Sequence, residues 1–288
     1  MTQPDRIAKG MYWDRAWSLV SGCSYVSEGC RNCWSAAETH MRACQKNEKI
    51  RSRYAGLTTP EGRWNGQIRL LEQNLWLPAR VKKPTSWAIW NDLLHPDVPD
   101  DFIRKVLHCI WYSSHHTFLL LTKRPERIEG KGQCSNCGYL APVDDDAICP
   151  NCGVTEKHMR EQGFGNRVRG LHKNLWLGAT CEDQEQFDKR WPYLRDTPAA
   201  IVYISYEPAL GPLVLPSDFL QRGKQAWVVC GCESGPNRRA AKIEWIRDLR
   251  DQCVAAGVDF FLKQMEIDGK IVKMPELDGK IWDEIPHV

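Results

Sequence analysis

The sequence lacks the features that mark membrane, secreted and repeat proteins. It contains no run approaching the roughly 18 consecutive apolar residues of a membrane helix, and its first residues have no apolar core of the signal-peptide kind. We find no internal repeat and no low-complexity tract. These absences predict a cytoplasmic globular protein with no membrane partner.

The sequence also has little excess of one charge over the other, because the net charge of the 288 residues is only +3. Attraction of the whole surface to nucleic acid is therefore weak, and such binding would depend on local basic groups. Basic residues gather near aromatic residues in segments 42–53, 160–173 and 238–242. These groups favour a nucleic-acid base or nucleotide as substrate, although basic runs are more often solvated surface.

Cysteine, in contrast, is abundant, with 13 residues. An odd number in a chain expected in the cytoplasm favours metal binding over disulfides. Six cysteines are scattered, and each is expected to be a small buried hydrophobic residue. The other seven form two groups, which are Cys23, Cys30 and Cys33, and Cys134, Cys137, Cys149 and Cys152.

Short apolar segments alternate with helical patterns along most of the chain. Strands are predicted at 86–92, 117–123, 174–180, 200–205, 226–230 and 258–264, and helices at 100–113, 184–194 and 242–256. The alternation predicts an α/β fold with a parallel sheet. Because the strands are apolar throughout, both faces should be buried, as in a partial or full TIM-type (β/α) barrel formed by residues 1–129 and 173–288.

The segment 130–172 interrupts this alternation. Cys134 to Gly138 and Cys149 to Gly153 are two copies of a C-x2-C-G knuckle. Two such turns can present four thiolates to one Zn²⁺ in tetrahedral geometry. The segment is therefore predicted to be a zinc-ribbon insertion, in which Zn²⁺ is structural and has no open coordination position.

Polar residues follow each predicted strand. Because the carboxyl ends of parallel strands meet at one edge of a barrel, we expect these residues to line an active site there. The candidates are Asn91, Asp92, His95, Thr122, Lys123, Arg124, Thr180, Glu182, Ser205, Glu207, Glu233, Ser234, Lys263 and Gln264.

The first cysteine group places three thiols within eleven residues and is followed by Trp34. Three thiolate ligands leave one iron of a [4Fe–4S] cluster open, and S-adenosylmethionine can chelate that iron. Spacing alone leaves two alternatives. One is a zinc site completed by His40 or Cys44, and the other is a [4Fe–4S] cluster closed by Cys44.

The same G-C-x6-C-x2-C motif belongs to a set of short blocks spread over nearly the whole chain. The blocks are residues 22–34, 82–84, 91–95, 121–127, 176–178, 182–184, 205–208, 231–235 and 261–264. In these blocks the chain resembles a family of phage- and prophage-associated proteins of unknown function that is similar to radical S-adenosylmethionine enzymes. The first cysteine spacing is x6 rather than the usual x3 of those enzymes, and the aromatic residue follows the third cysteine instead of preceding it.

The resemblance implies reductive cleavage of S-adenosylmethionine to a 5′-deoxyadenosyl radical, with a flavodoxin-type or ferredoxin-type reductant protein. Expected ligands are Asn91 and Asp92 for the amino group, Lys123 or Arg124 for the carboxylate, and Ser205 or Glu207 for the ribose hydroxyls, with Trp34 also in the cofactor site. Candidate catalytic residues are Lys123, Glu207 and Glu233. Two other functions stay open: a non-catalytic nucleic-acid-binding or adaptor protein with structural metal sites, and a DNA-lesion lyase similar to spore photoproduct lyase.

Overall fold

Helices and strands alternate through most of the described part of the chain, which in this computed structural model comprises residues 2–128, 131–133, 140–142, 152–153, 171–197 and 199–287. The strands are β1 (Arg15–Ser18), β2 (Val20–Gly22), β3 (Ile68–Leu70), β4 (Ser86–Trp90), β5 (Thr117–Thr122), β6 (Lys131–Gln133), β7 (Leu140–Pro142), β8 (Leu175–Thr180), β9 (Val202–Tyr206), β10 (Ala226–Gly231), β11 (Asp259–Ile267), β12 (Lys270–Lys273), β13 (Glu276–Leu277) and β14 (Lys280–Ile281). The α-helices are α1 (Pro4–Ile7), α2 (Trp34–Ala43), α3 (Glu48–Tyr54), α4 (Asp100–Tyr112), α5 (Gln184–Arg195), α6 (Ser217–Leu220) and α7 (Ile243–Ala256).

Eight strands form one curled sheet in the order β1-β4-β5-β8-β9-β10-β11-β12. The first seven run parallel to their neighbours, and β12 pairs antiparallel with β11. The spatial order of the parallel strands follows the chain order, as in a β/α barrel and unlike a doubly wound sheet. The predicted α/β class and parallel sheet are confirmed. In the described residues the sheet is a half-barrel, because β1 and β12 lie at opposite edges and closure into a full TIM barrel is not observed.

The sheet is buried on both faces, which explains its continuous apolar strands. On one face, which we call the helix face, strand residues such as Phe118 and Val228 pack in the same core as Val106 of α4 and Leu249 of α7. The opposite face, which we call the inner face, carries a mainly aromatic core made of Tyr12, Leu119, Trp176, Ile201, Tyr203, Trp227, Val229 and Phe261. The inner face is therefore apolar across the middle of the sheet.

The predicted insertion lies between two strands that are neighbours in the sheet. β5 and β8 pair directly, with Leu119 opposite Trp176, although the chain between them includes residues 130–172. Within this segment the short strands β6 and β7 pair antiparallel. The predicted zinc site lies outside the described residues, because three of its four cysteines, Cys134, Cys137 and Cys149, are not among them. No helix in the described ranges is long and apolar enough to cross a membrane.

The inner face has little room at Gly178 of β8. A Cβ atom built there would lie 2.4 Å from ring atoms of Tyr203, the residue opposite it on β9. We predict that Gly178→Ala lowers the free energy of unfolding by at least about 2 kcal/mol, because the buried ring would have to move. Urea unfolding measures the change.

The matched control is Gly211→Ala, where the added carbon would meet Asp183 Cβ at an ordinary 3.5 Å. This control should change stability by less than about 0.5 kcal/mol. Equal effects of the two substitutions would contradict the packing described for Tyr203.

Candidate functional site

Residues 23–33, which we call the cysteine loop, connect the end of β2 to the start of α2. Gly22 precedes the loop with a φ of +94°, and a Cβ atom there would lie 2.1 Å from the Gln67 carbonyl oxygen, so the position requires glycine. The loop contacts side chains that follow four parallel strands. The contacts are Ser24 with His95 after β4, Cys23 with Arg124 after β5, Ser27 with Glu182 after β8, and Asn32 with Glu233 after β10. The cysteine loop therefore lies across the carboxyl ends of the half-barrel.

Arg124 connects the start of the loop to the sheet. Its guanidinium donates to Asp92 Oδ2 at 2.6 Å and to Ser24 Oγ at 2.7 Å, and its Nη1 lies 3.9 Å from Cys23 Sγ. Asp92 is buried and also accepts a hydrogen bond from Thr122 Oγ1 at 2.7 Å. Burial and the Asp92 charge raise the pKa of the Cys23 thiol to about 11, although Arg124 opposes them. The Arg124–Asp92 ion pair thus holds Cys23 at this edge of the sheet.

Glu182, two residues beyond β8, anchors the middle of the loop. Its fully buried carboxylate accepts hydrogen bonds from Lys123 Nζ at 3.1 Å, Arg190 Nη1 at 2.7 Å and the Gly29 N–H at 3.1 Å, and from the Ser27 hydroxyl. Burial alone would raise the pKa of Glu182, but the charges of Lys123 and Arg190 outweigh it and lower the pKa to about 2. One carboxylate therefore joins β5, α5 and the cysteine loop.

Glu233, two residues beyond β10, holds the far end of the loop. It accepts hydrogen bonds from Asn32 Nδ2 at 2.9 Å and from Arg239 Nη2 at 2.5 Å. Arg239 also donates to the Glu28 carbonyl oxygen at 2.9 Å. Burial would raise the pKa of Glu233, but the hydrogen bonds from Arg239 and Asn32 outweigh it, so the pKa is lowered. This predicted catalytic carboxylate is thus engaged in holding the loop.

A further charged pair joins Glu207, the residue after β9, to Lys263 in the middle of β11. Lys263 Nζ lies 2.9 Å from Glu207 Oε1, and Ser205 Oγ donates to Glu207 Oε2 at 3.2 Å. A Cβ atom at Gly231 would lie 2.8 Å from Glu207 Oε1, so this glycine leaves space for the carboxylate. The Glu207 side chain keeps 13% exposure, which leaves it accessible to a small ligand.

The Asn91 side chain is engaged in hydrogen bonds within the protein, whereas the Trp34 side chain is exposed. Asn91 has a left-handed backbone with a φ of 59°, and its amide donates to the Val20 carbonyl oxygen at 2.8 Å and accepts from Ser35 Oγ at 3.0 Å. Trp34 is 52% exposed, and its ring packs edge-to-face on Trp90 with centroids 5.5 Å apart. Asn91 therefore joins β2 to α2, while Trp34 presents an open ring beside the cysteines.

The donor set at the loop fits an iron–sulfur cluster by its chemistry. Cys23, Cys30 and Cys33 are half-buried thiols without a disulfide, and three thiolates are the ligands such a cluster needs when one iron stays open. Among the described residues, no three His, Cys, Asp or Glu side chains lie close enough to share one metal ion. The fit therefore rests on the type, number and position of the thiols and not on a preformed site.

The fourth-ligand alternatives lie along α2, away from the loop. Cys33 and Cys44 flank α2, so about 16 Å of helix separates them at about 1.5 Å per residue. Cys44 is exposed, and His40 Nδ1 shares a hydrogen bond of 3.1 Å with Thr58 Oγ1. This geometry disfavours Cys44 as the residue that closes a cluster with Cys33.

Several residues of the site were not among the sequence-based candidates. Arg190 has a recognisable signal, because it lies on the stripe of α5 that also buries Phe187, Trp191 and Leu194. A charged residue on an apolar stripe requires a buried partner. Ser27 and Arg239 carry no comparable signal, since both lie in polar segments and meet their carboxylate partners only in the folded chain.

We predict that Glu182→Gln lowers the free energy of unfolding at neutral pH by about 3–5 kcal/mol, because Lys123 and Arg190 would be left without their carboxylate. The pKa of Glu182 is about 2 in the folded protein and 4.5 ordinarily. Its stabilisation is therefore complete above about pH 4.5 and is lost as the pH falls toward 2. Urea unfolding at several acidic pH values should show a shallower acid-induced loss for the variant.

The control for this substitution is Glu185→Gln on α5, whose side chain is 70% exposed and pairs only with Lys189 among the contacts described. It should change stability by less than about 1 kcal/mol. If Glu182→Gln behaves like this control, Glu182 does not anchor the loop.

Comparison with known proteins identifies one family. No curated protein and no solved structure matches the sequence. The family described as protein of unknown function (DUF5131) matches residues 8–286. The match covers both segments of the half-barrel and the segment between them, and the chain therefore belongs to this family.

Proposed function

We propose that the protein is a radical S-adenosylmethionine enzyme in which Cys23, Cys30 and Cys33 hold a [4Fe–4S] cluster. The observation that carries the proposal is the position of the cysteine loop, which lies across the carboxyl ends of parallel strands, the edge where β/α barrels carry active sites. When bound, the cluster would supply one electron that breaks the sulfonium C5′–S bond, giving methionine and a 5′-deoxyadenosyl radical that takes a hydrogen atom from the substrate.

Lys123 is the best candidate for the carboxylate of S-adenosylmethionine. Glu182 is bonded to two cations, Lys123 and Arg190, so the group carries one excess positive charge. The Lys123 side chain is 17% exposed and can reach a ligand, whereas Arg190 is 4% exposed. An anionic ligand at Lys123 would balance the buried charge.

Arg124 and Asp92 act by positioning the loop in this proposal. The Arg124 side chain is 7% exposed, and its guanidinium is bonded to Asp92 and Ser24. Asn91 is similarly engaged by Val20 and Ser35. We therefore assign these side chains to holding Cys23 and α2 in place, and not to direct contact with S-adenosylmethionine.

Ser205 and Glu207 are the candidates for the ribose hydroxyls. Both have oxygen atoms near the carboxyl end of β9, and Lys263 Nζ, 2.9 Å from Glu207 Oε1, helps to fix the position of the carboxylate. The exposed Trp34 ring offers a surface on which adenine could stack. A reductant protein of the flavodoxin or ferredoxin type would deliver the electron, and the proposed substrate is a nucleic-acid base or nucleotide.

We predict that Cys30→Ala abolishes both the cluster and the formation of 5′-deoxyadenosine. Anaerobically reconstituted wild-type protein should contain about four iron atoms per chain, and two thiolates should not retain them. Iron analysis and chromatography of the reduced reaction mixture measure the two quantities.

Cys44→Ala is the control, because Cys44 is an exposed thiol at the far end of α2 and should leave iron and product unchanged. A protein that takes up zinc but never iron under these conditions would overturn the proposal in favour of a structural metal site.

We also propose that Cys134, Cys137, Cys149 and Cys152 bind one Zn²⁺, since two C-x2-C-G knuckles supply the four thiolates of a structural site. Cys149→Ala should remove about one equivalent of zinc while the iron content of the reconstituted protein stays constant. Equal zinc content in the variant and the wild type, measured by elemental analysis, would rule out this site.

A further inference from the structure

We infer that the cleft between α2, α3 and β3 binds the phosphodiester backbone of a single-stranded nucleic acid. The cleft has a volume of about 990 Å³ and is formed by the carboxyl-terminal half of α2, by α3, and by residues 69–73. This inference rests on the proposed function, because the bound strand would be the substrate of the proposed enzyme.

The charge of the cleft favours an anion. Four cations and one carboxylate line it: Arg42, Lys49, Arg53, Arg69 and Glu38. The protein as a whole carries only +3, so the positive charge is local. A phosphate backbone is the polyanion that such a local basic group would bind.

Arg42 and Arg69 build the walls of the cleft. Arg42 is paired with Glu38 and donates to the Tyr54 hydroxyl at 3.0 Å. Arg69 donates to the backbone carbonyl oxygens of Ser52, Arg53 and Ala55 at the end of α3. These two cations add positive potential, and part of their hydrogen-bonding capacity is used by the protein.

Arg53 and Lys49 are the cations left for a ligand. Arg53 Nε is buried and has no hydrogen-bond partner in the described residues, and its guanidinium lies over the Tyr54 ring at 5.5 Å. A buried donor without an acceptor is unfavourable unless a ligand or water supplies one. Lys49 is exposed on the same helix. Phosphate oxygens in the cleft would pair with the Arg53 guanidinium and with the Lys49 ammonium, one phosphate for each cation.

The basic residues Arg238 and Arg239 are less able to bind a phosphate, because both are paired within the protein. Arg238 is paired with Glu266 at 2.5 Å, and Arg239 with Glu233 at 2.5 Å. Both side chains also donate to backbone carbonyl oxygens, those of Gly235 and Glu28 respectively. Their charges are therefore balanced within the fold, which makes the α2–α3 cleft the better phosphate site.

Apolar side chains and the position of the cleft indicate a strand and not a lone phosphate. Met41 is 62% exposed at the cleft, where Tyr54 and Ile50 add further apolar surface on which bases can stack. Arg42 follows Cys33 by nine residues, which is about 13 Å along α2. At about 3.4 Å per stacked nucleotide, a strand held in the cleft can place a base roughly four nucleotides away at the cysteine loop.

The test is fluorescence anisotropy with the full chain and labelled single-stranded DNA or RNA of about 12 nucleotides, a length within known single-strand site sizes. Lys49→Ala/Arg53→Ala should weaken binding at least about tenfold and lower the slope of log affinity against log salt by about 1.4, because two phosphate contacts are lost. Lys49→Ala alone should lower the slope by about 0.7, and its exposed position avoids a folding defect.

Lys189→Ala, which removes an exposed cation from α5, should bind the strand like the wild type. Unchanged affinity in the double variant would overturn the inference. So would displacement of the strand by equal concentrations of inorganic phosphate, adenosine monophosphate or polyglutamate, since these would indicate a phosphomonoester or acidic-peptide site.

Binding is measured without iron, so it can fail separately from the enzyme activity. If the protein forms 5′-deoxyadenosine but does not bind the strand, this inference is wrong and the proposed enzyme activity stands. If the protein binds the strand but never takes up iron, the inference stands and the proposed enzyme activity is wrong.

Discussion

The buried carboxylate of Glu182 is the contact on which the proposed active site depends. It lies between Lys123 and Arg190 and receives hydrogen bonds from Ser27 and Gly29 of the cysteine loop. A buried charge is tolerated only when its partners are in place, so the positions of β5, β8, α5 and the loop are coupled. The loop itself exposes Tyr25 and Val26, and we infer that charged contacts hold it more than burial of apolar surface does.

The inner face of the half-barrel explains why charged groups collect at one edge. Aromatic residues such as Tyr203 and Trp227 fill this face toward the amino ends of the strands. Charged side chains follow at the carboxyl ends, where Lys123, Glu182 and Glu207 come directly after or within two residues of their strands. Pairing offsets part of the cost of burying these charges, and the partly exposed Lys123 and Glu207 remain available to a ligand.

Much of the sheet could be predicted because its strands are apolar on both faces. The segment predicted at 226–230 is β10 (Ala226–Gly231), and the helix predicted at 242–256 is α7 (Ile243–Ala256), which is capped by Gly257 with a φ of 68°. The edge strand β1 was not predicted, because it has only four residues and only one of the four is buried. Closure of the sheet could not be predicted either, since edge pairing depends on distant parts of the chain.

The site was harder to predict, because a polar residue after a strand can serve a ligand or the fold. Asp92 and Glu233 were expected to contact cofactor or substrate, yet their oxygen atoms accept hydrogen bonds from Arg124 and Arg239. Sequence spacing indicates that polar groups meet at the carboxyl edge. It cannot indicate which of them pair with each other, since those pairs join residues far apart in the chain, as Asn32 and Glu233 do.

The most direct test of the account is electron paramagnetic resonance of the anaerobically reconstituted and reduced protein, recorded with and without S-adenosylmethionine. An open iron held by Cys23, Cys30 and Cys33 predicts a [4Fe–4S] signal whose g values change when S-adenosylmethionine is added, because the ligand binds that iron. A cluster signal that is identical in both samples, or no cluster signal at all, would contradict the account.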